Sequence, residues 1–190
     1  EKANELSREF SINQKLSEAI VRESDVVFGG VSGFVITSSN NIMAPNAGID
    51  KSNSQGKLIL YPDDPYLVAE QIKRKFFLDY NFHVGIIIVD SRLMPARIGT
   101  SGVAIACSGI EPVLDRRATK DLDGNVLKVT FQAVADNLAS IANHKMGEAD
   151  ELLPIAIIRK SGAKLTDRKI SSEETAIPYD ECVYVRGLKR

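Results

Sequence analysis

The sequence has no tryptophan, two cysteines, two histidines and almost no net charge: 24 Lys and Arg against 25 Asp and Glu leave a formal −1 over 190 residues. Each scarcity excludes a class. Cys107 and Cys182 stand far apart and match no C-x-x-C spacing, so the sequence indicates neither a disulfide framework nor a Cys–His zinc site. Neutralising a nucleic-acid backbone takes a surplus of Lys and Arg, and without one a nucleic-acid partner is not expected. No apolar run approaches the ~18 residues that span a bilayer. No charged-then-apolar leader opens the chain. A cytoplasmic location away from any membrane is therefore the expectation. What remains is ordinary for a globular protein, 44% hydrophobic and 26% charged residues. A chain of this length buries roughly 70% of its unfolded surface and folds without a disulfide or metal staple. The expectation is one domain over 1–190, with 160–190 as a weakly patterned tail.

Local patterning points to an α+β fold of largely antiparallel sheets with amphipathic helices. Leu6 and Phe10, then Leu16, Ala19 and Ile20, recur at helical spacing, with Ser11-Ile-Asn13 separating two short helices. Between residues 25 and 60, β-branched runs alternate with Gly33 and with Ser38-Ser-Asn-Asn41, as in antiparallel strands and turns. Asp63-Asp-Pro65 signals a helix start, with Val68, Ala69, Ile72 and Phe76 as its apolar face. Val84–Val89 reads as a central strand buried on both faces and ending at Asp90, and Gly102–Ile110 as a second buried strand. Val126–Thr130 reads as a short strand. Thr130 then opens a helix with Val134, Leu138 and Ile141 inward and Gly147 as its stop. Pro154–Ile158 reads as a last strand and Ser161–Ala176 as exposed loop.

Several sites of potential chemistry fail on inspection. Gly29-Gly-Val-Ser-Gly33 is not a G-x-G-x-x-G loop. Asp121-x-Asp-Gly-Asn125 has its Gly at the fourth position of a calcium loop, not the sixth, and Gln132 where a bidentate Glu belongs. Cys107, within an apolar run, reads as a core thiol. His83 and His144 read as structural or exposed. The remaining signals are oxygen ligands at element ends. Asp90 after six apolar residues suits either a metal- or phosphate-handling carboxylate or a cap on the next turn. Asn46–Asn53 is dense in Asn, Asp and Ser, which serve equally as ligand contacts and as turn formers. Thr130 precedes the second long helix, and Asp136 reads as a solvated side chain.

Longer motifs then align in order. Asn46-Ala-Gly-Ile-Asp-Lys-Ser-Asn53 followed by Leu60-Tyr-Pro-Asp-Asp-Pro65 resembles the N-A-G-I/V-D-x-S-N and L-P-x-D-P signature of the coenzyme F420-0:L-glutamate ligase family. Val84-Gly-Ile-Ile-Ile-Val-Asp90, Arg97-Ile-Gly99, Val103-Ala-Ile-Ala106, Lys120-Asp-Leu-Asp-Gly124, Val129-Thr130, Ala133-Val-Ala-Asp136, Met146-Gly147 and Ile157-Ile-Arg159 resemble the family's later pieces. The likeness covers about residues 16–160.

The resemblance implies an enzyme that joins the α-amine of L-glutamate to a carboxylate of the F420-0 side chain and then extends with γ-linked glutamate. GTP is the co-substrate, Mg²⁺ or Mn²⁺ the divalent metal, and the protein a homodimer with its site near the interface. It assigns Asp90 and Thr130 to the metal, and Asn46, Asp50, Ser52 and Asn53 to substrate or nucleotide. This chain departs from the pattern at three places. Phe131 stands where the family's V-T-E has Glu, and a phenyl ring cannot coordinate a hard cation. Asp90-Ser-Arg-Leu-Met94 replaces D-T-x-G-R. The family segment carrying many nucleotide contacts is expected to precede residue 1. The departures leave a second expectation open, a catalytically impaired paralogue acting as a ligand-binding or structural dimer. A ligase with a different carboxylate acceptor is a third.

Overall fold

The computed structural model describes residues 1–188. It is α+β, with five α-helices and small antiparallel sheets, and it divides into two compact units, Glu1–Asp63 with Ala176–Arg190, and Asp64–Thr175.

In the first unit, helices α1 (Lys2–Glu9) and α2 (Gln14–Glu23) separate where the sequence indicates. Asn13 caps α2, its Oδ1 accepting the Leu16 N–H at 2.8 Å. Strands β1 (Val26–Val31), β2 (Phe34–Ser39) and β3 (Ile42–Pro45) form a meander in the order β1-β2-β3. Its turns fall at Gly33 and at Asn40–Asn41, residues with positive φ that Gly and Asn tolerate. Leu6, Phe10, Leu16 and Ile20 pack against Val35, Ala47 and Ile49 in one apolar cluster. Helix α5 (Val183–Leu188) buries Val185, and the rings of Phe28 and Tyr179 meet edge-on at 5.4 Å.

In the second unit, α3 (Pro65–Tyr80) starts at the Asp-Pro signal. Asp64 Oδ1 accepts the Leu67 N–H at 2.9 Å, and left-handed Asn81 ends the helix. Strands β4 (Ile86–Leu93) and β5 (Thr100–Ser108) pair antiparallel as a long hairpin. β6 (Val113–Asp115) pairs with β7 (Phe131–Ala133). Helix α4 (Val134–Met146) ends at Gly147, and α3 and α4 both pack on β5. Cys107, Ile110, Ala135 and Ile170 form the core of this unit. No helix among the described residues is long and apolar enough to cross a membrane.

Several expectations change. Among the described residues β4 pairs with β5 alone, so it is half-buried rather than central, and it continues through Asp90 to Leu93. Val126–Thr130 is not a strand: the turn centred on Asp121–Asn125 absorbs Val126, and the strand falls on residues 131–133. Helix α4 starts at Val134, after Thr130. Ile72, Phe76 and Ile141 of the expected helix faces are exposed, so only the residues nearer β5, such as Ala69 and Ala139, reach the interior. Pro154–Ile158 pairs with no described strand. The 161–176 segment is not wholly exposed, since Ile170 is buried in the core. Asp136 is not merely solvated: its Oδ1 accepts the Ala104 N–H at 3.0 Å and ties the first turn of α4 to β5.

Candidate functional site

The Asn46–Asn53 loop leaves β3 through a 3-10 turn, Asn46–Gly48, in which Asn46, Ala47 and Gly48 all adopt positive φ (51°, 57° and 69°). Left-handed backbone is costly for Ala and Asn and persists only where surroundings impose it. Three contacts impose it here. Asn46 Oδ1 accepts the buried Val35 N–H at 2.9 Å, and its Nδ2 donates to the Gly33 carbonyl at 3.3 Å. The Ala47 N–H donates to Thr37 Oγ1 at 3.0 Å. A side chain on Gly48 would overlap the Tyr61 ring, since its Cβ would fall 2.0 Å from a ring carbon. Asn46 thus faces inward as a clamp between β2 and β3.

Beyond the turn the loop is solvent-facing. Asp50 and Ile59 exchange backbone hydrogen bonds at 3.0 and 2.9 Å and close its base. Asp50 Oδ1 accepts the Lys51 and Ser52 N–H groups at 2.6 and 2.8 Å, and Oδ2 accepts the Ser52 hydroxyl. Partial burial pulls the Asp50 carboxyl up, but the Ser52 hydroxyl and the Ser52 and Lys51 amides outweigh it and hold the group below the ordinary range. Ser54 Oγ lies 2.7 Å from both the Lys51 and the Lys57 carbonyls. The loop therefore presents an ionised carboxylate flanked by hydroxyls. Asn53 lies in the same loop with φ 47°.

Asp90 lies within β4 opposite Val103, and Arg92 is two residues on, on the same face of the strand. Arg92 Nε donates to Asp90 Oδ2 at 3.1 Å, and both side chains are largely shielded, 10% exposed for Arg92 and 26% for Asp90. Ser91, pointing the other way, donates to Glu148 Oε2 at 2.7 Å. Glu148 also receives Thr100 at 3.0 Å and the Asn143 amide at 2.6 Å, so one carboxylate joins β4, β5 and the end of α4. Thr130 is exposed, and its carbonyl accepts the Arg116 N–H at 3.0 Å. Next to it, the Arg117 guanidinium lies over the Phe131 ring at 4.5 Å, and Gln132 Oε1 accepts both Nε and Nη2 of Arg116 at 3.1 and 2.8 Å.

The residues present can be held against the divalent ion that the resemblance implies. A hard cation takes six or more oxygen ligands with enough negative charge to offset its own. Here Asp90 already faces a guanidinium, and Phe131 offers an aromatic face occupied by Arg117. Among the described residues no three His, Cys, Asp or Glu side chains converge as a cation site. Among the described residues, Asp90 and Phe131 do not gather the oxygen donors that a resident divalent ion needs.

The structure thus gathers Asn46, Asp50 and Ser52 into one loop of the first unit, and in the second sets Asp90 within β4 and Thr130 just before β7. Sequence reading missed Arg92 and Glu148. The i, i+2 spacing of Asp90 and Arg92 is a readable signal once β4 is extended past Asp90. Glu148 carries none, because its partners lie 5, 48 and 57 residues away. A separate cleft of about 360 Å³, lined by Lys73, Arg74, Phe77, Phe82, His83 and Thr166 among others, contains none of these residues.

Comparison with known proteins supplies the frame for this geometry. The model of the family described as F420-0:Gamma-glutamyl ligase matches residues 1–160. The coenzyme F420:L-glutamate ligase of Methanocaldococcus jannaschii is 36% identical over 183 residues, 96% of this chain and 73% of that protein. The Methanopyrus kandleri protein of the same name is 37% identical over 83% of this chain and 63% of its own length. That of Archaeoglobus fulgidus is 34% identical over all of this chain and 76% of its own length. The chain therefore spans about two thirds to three quarters of these relatives, and it belongs to the F420-0:gamma-glutamyl ligase family.

Proposed function

We propose that this chain is the core of an amide-forming ligase that joins L-glutamate to a carboxylate of a phosphate-bearing, F420-0-like precursor, with GTP as the driving co-substrate. The observation that carries the reading is the family match over residues 1–160. The Asp50 loop supports it, because its exposed carboxylate and hydroxyls suit the ammonium and hydroxyl groups of such ligands.

The chemistry follows from the poor reactivity of a carboxylate toward amines. An acceptor carboxylate oxygen attacks the γ-phosphorus of GTP, the bond to GDP breaks, and an acyl phosphate forms. The glutamate nitrogen attacks the acyl carbon. Phosphate leaves with the electrons of the C–O bond, and the surplus amine proton passes to solvent or a base. Mg²⁺ or Mn²⁺ enters this reading as the counter-ion of the triphosphate, neutralising its charge. Asp50 and Ser52 hold ligand at the loop, with Asn53 beside them and Asn46 fixing the loop's shape from inside. Asp90 and Thr130 take no metal of their own in this reading, because Arg92 already engages Asp90. The reaction belongs in the cytoplasm, where GTP and glutamate are at hand.

The working protein is a homodimer in this reading. Leu152, Leu153, Ile155 and Ile157 are more than half exposed in a segment with no regular secondary structure and no strand partner among the described residues. A contiguous apolar, unpaired segment is what a second copy would cover. The test of the activity is mass spectrometry of F420-0 incubated with the full-length protein, glutamate, GTP and Mn²⁺. A gain of one or more glutamyl units supports the proposal, and an unchanged mass contradicts it.

A further inference from the structure

We infer that Arg92 is the resident cation of Asp90: its guanidinium occupies the place a divalent ion would need, so β4 binds no metal through this carboxylate. The inference rests on reading Asp90 as the family's metal-site position. It concerns this chain's departure from that pattern.

Two observations and the chemistry of arginine carry it. Arg92 and Asp90 share one face of β4 and meet at 3.1 Å, with only a tenth of the Arg92 side chain exposed. A guanidinium presents its N–H donors in a rigid planar fork, so it holds a carboxylate by direction as well as charge. At a shielded position its field is weakly screened, and a dication seated on the same carboxylate would sit within about 5 Å of a fixed positive charge, a repulsion of several kcal/mol even at an effective dielectric constant near 20. The position that the resemblance sets beside Thr130 offers no carboxylate either: Phe131 packs beneath Arg117.

The test is Mn²⁺ binding to the full chain without nucleotide, with free Mn²⁺ followed by electron paramagnetic resonance. Four forms are compared with the unaltered protein: Asp90→Asn, Arg92→Gln, Arg92→Lys, and Arg92→Gln combined with Asp90→Asn. The unaltered protein and Arg92→Lys are expected to titrate like Asp90→Asn, with no ion assignable to this carboxylate. Arg92→Gln is expected to gain a site roughly tenfold tighter or more, raising its melting temperature with Mn²⁺, and the double variant to lose both effects. The inference is overturned if the unaltered protein binds Mn²⁺ and Asp90→Asn alone abolishes that binding, or if folded Arg92→Gln gains nothing over the double variant. Should Arg92→Gln not fold, the unaltered protein against Asp90→Asn still decides. Glutamyl transfer is read in a separate assay, so failure of the ligase reading leaves this result standing.

Discussion

The side-chain oxygen of Asn46 accepts the backbone N–H of Val35 at 2.9 Å, across eleven residues of chain, and thereby holds the left-handed turn from which the Asp50 loop departs. Removing that oxygen leaves a buried N–H unsatisfied, which costs about 1–3 kcal/mol. Asn46→Gly keeps the freedom to adopt positive φ and isolates the hydrogen-bond loss, whereas Asn46→Ala adds the left-handed penalty of about 1–2 kcal/mol. Urea unfolding should rank the unaltered protein above Asn46→Gly and Asn46→Gly above Asn46→Ala. Equal midpoints for all three would remove the clamp from the account.

Cys107 is 1% exposed, and burial pushes its thiol up to about 12, with the charges of Glu174 and Asp136 adding to the effect. Only the thiolate reacts, so Cys107 should resist a disulfide reagent at pH 8 until the protein unfolds. The partly exposed Cys182 should label first. Kinetics of thiol labelling in native buffer and in denaturant check this, with one thiol expected per native chain and two after unfolding.

Burial pulls the Glu148 carboxyl up, but the Ser91 hydroxyl, the Asn143 amide and the Thr100 hydroxyl together outweigh it and hold the group below its ordinary 4.5. A carboxyl depressed in the folded state binds its proton more readily in the unfolded chain. Its stabilisation is complete above about pH 4.5 and is lost as pH falls through the folded value. Glu148→Gln should therefore lower stability near neutral pH and lose less than the unaltered protein between about pH 5 and 3. Parallel pH–stability curves for the two would contradict the three-way anchor.

The local signals proved legible wherever one or two residues decide the backbone. Asp64 and Pro65 start α3, Asn13 caps α2, Gly147 stops α4, and Gly33 with Asn40–Asn41 turns the meander. Long-range pairing was not legible. Pro154–Ile158 has strand composition, yet no strand lies against it among the described residues, and composition cannot supply a partner. Val126 lost its strand to the Asp121 turn, whose carboxylate accepts the Asp123 and Asn125 N–H groups. At the site, the composition of residues 46–53 marked the loop. The inward role of Asn46, the Arg92 partner of Asp90 and the Glu148 junction depend on which side chains the fold brings together.

The exposed apolar residues of the 152–157 segment lead to an assembly prediction. Ile155 and Ile157 are 78% and 76% exposed. If a second copy covers them, Ile155→Asp with Ile157→Asp should shift sedimentation from dimer to monomer and leave the circular dichroism of the chain unchanged, since neither side chain packs in either core cluster. A monomer before substitution, or a dimer after it, would remove this segment from the interface.

The central claim is tested most directly by the product of the reaction. F420-0 incubated with the full-length protein, L-glutamate, GTP and Mn²⁺ should gain the mass of one or more glutamyl units, with GDP and phosphate released in equal amount to the amide bonds formed. Asp50→Asn should slow that gain. An unchanged F420-0 mass after full incubation with folded protein would contradict the account.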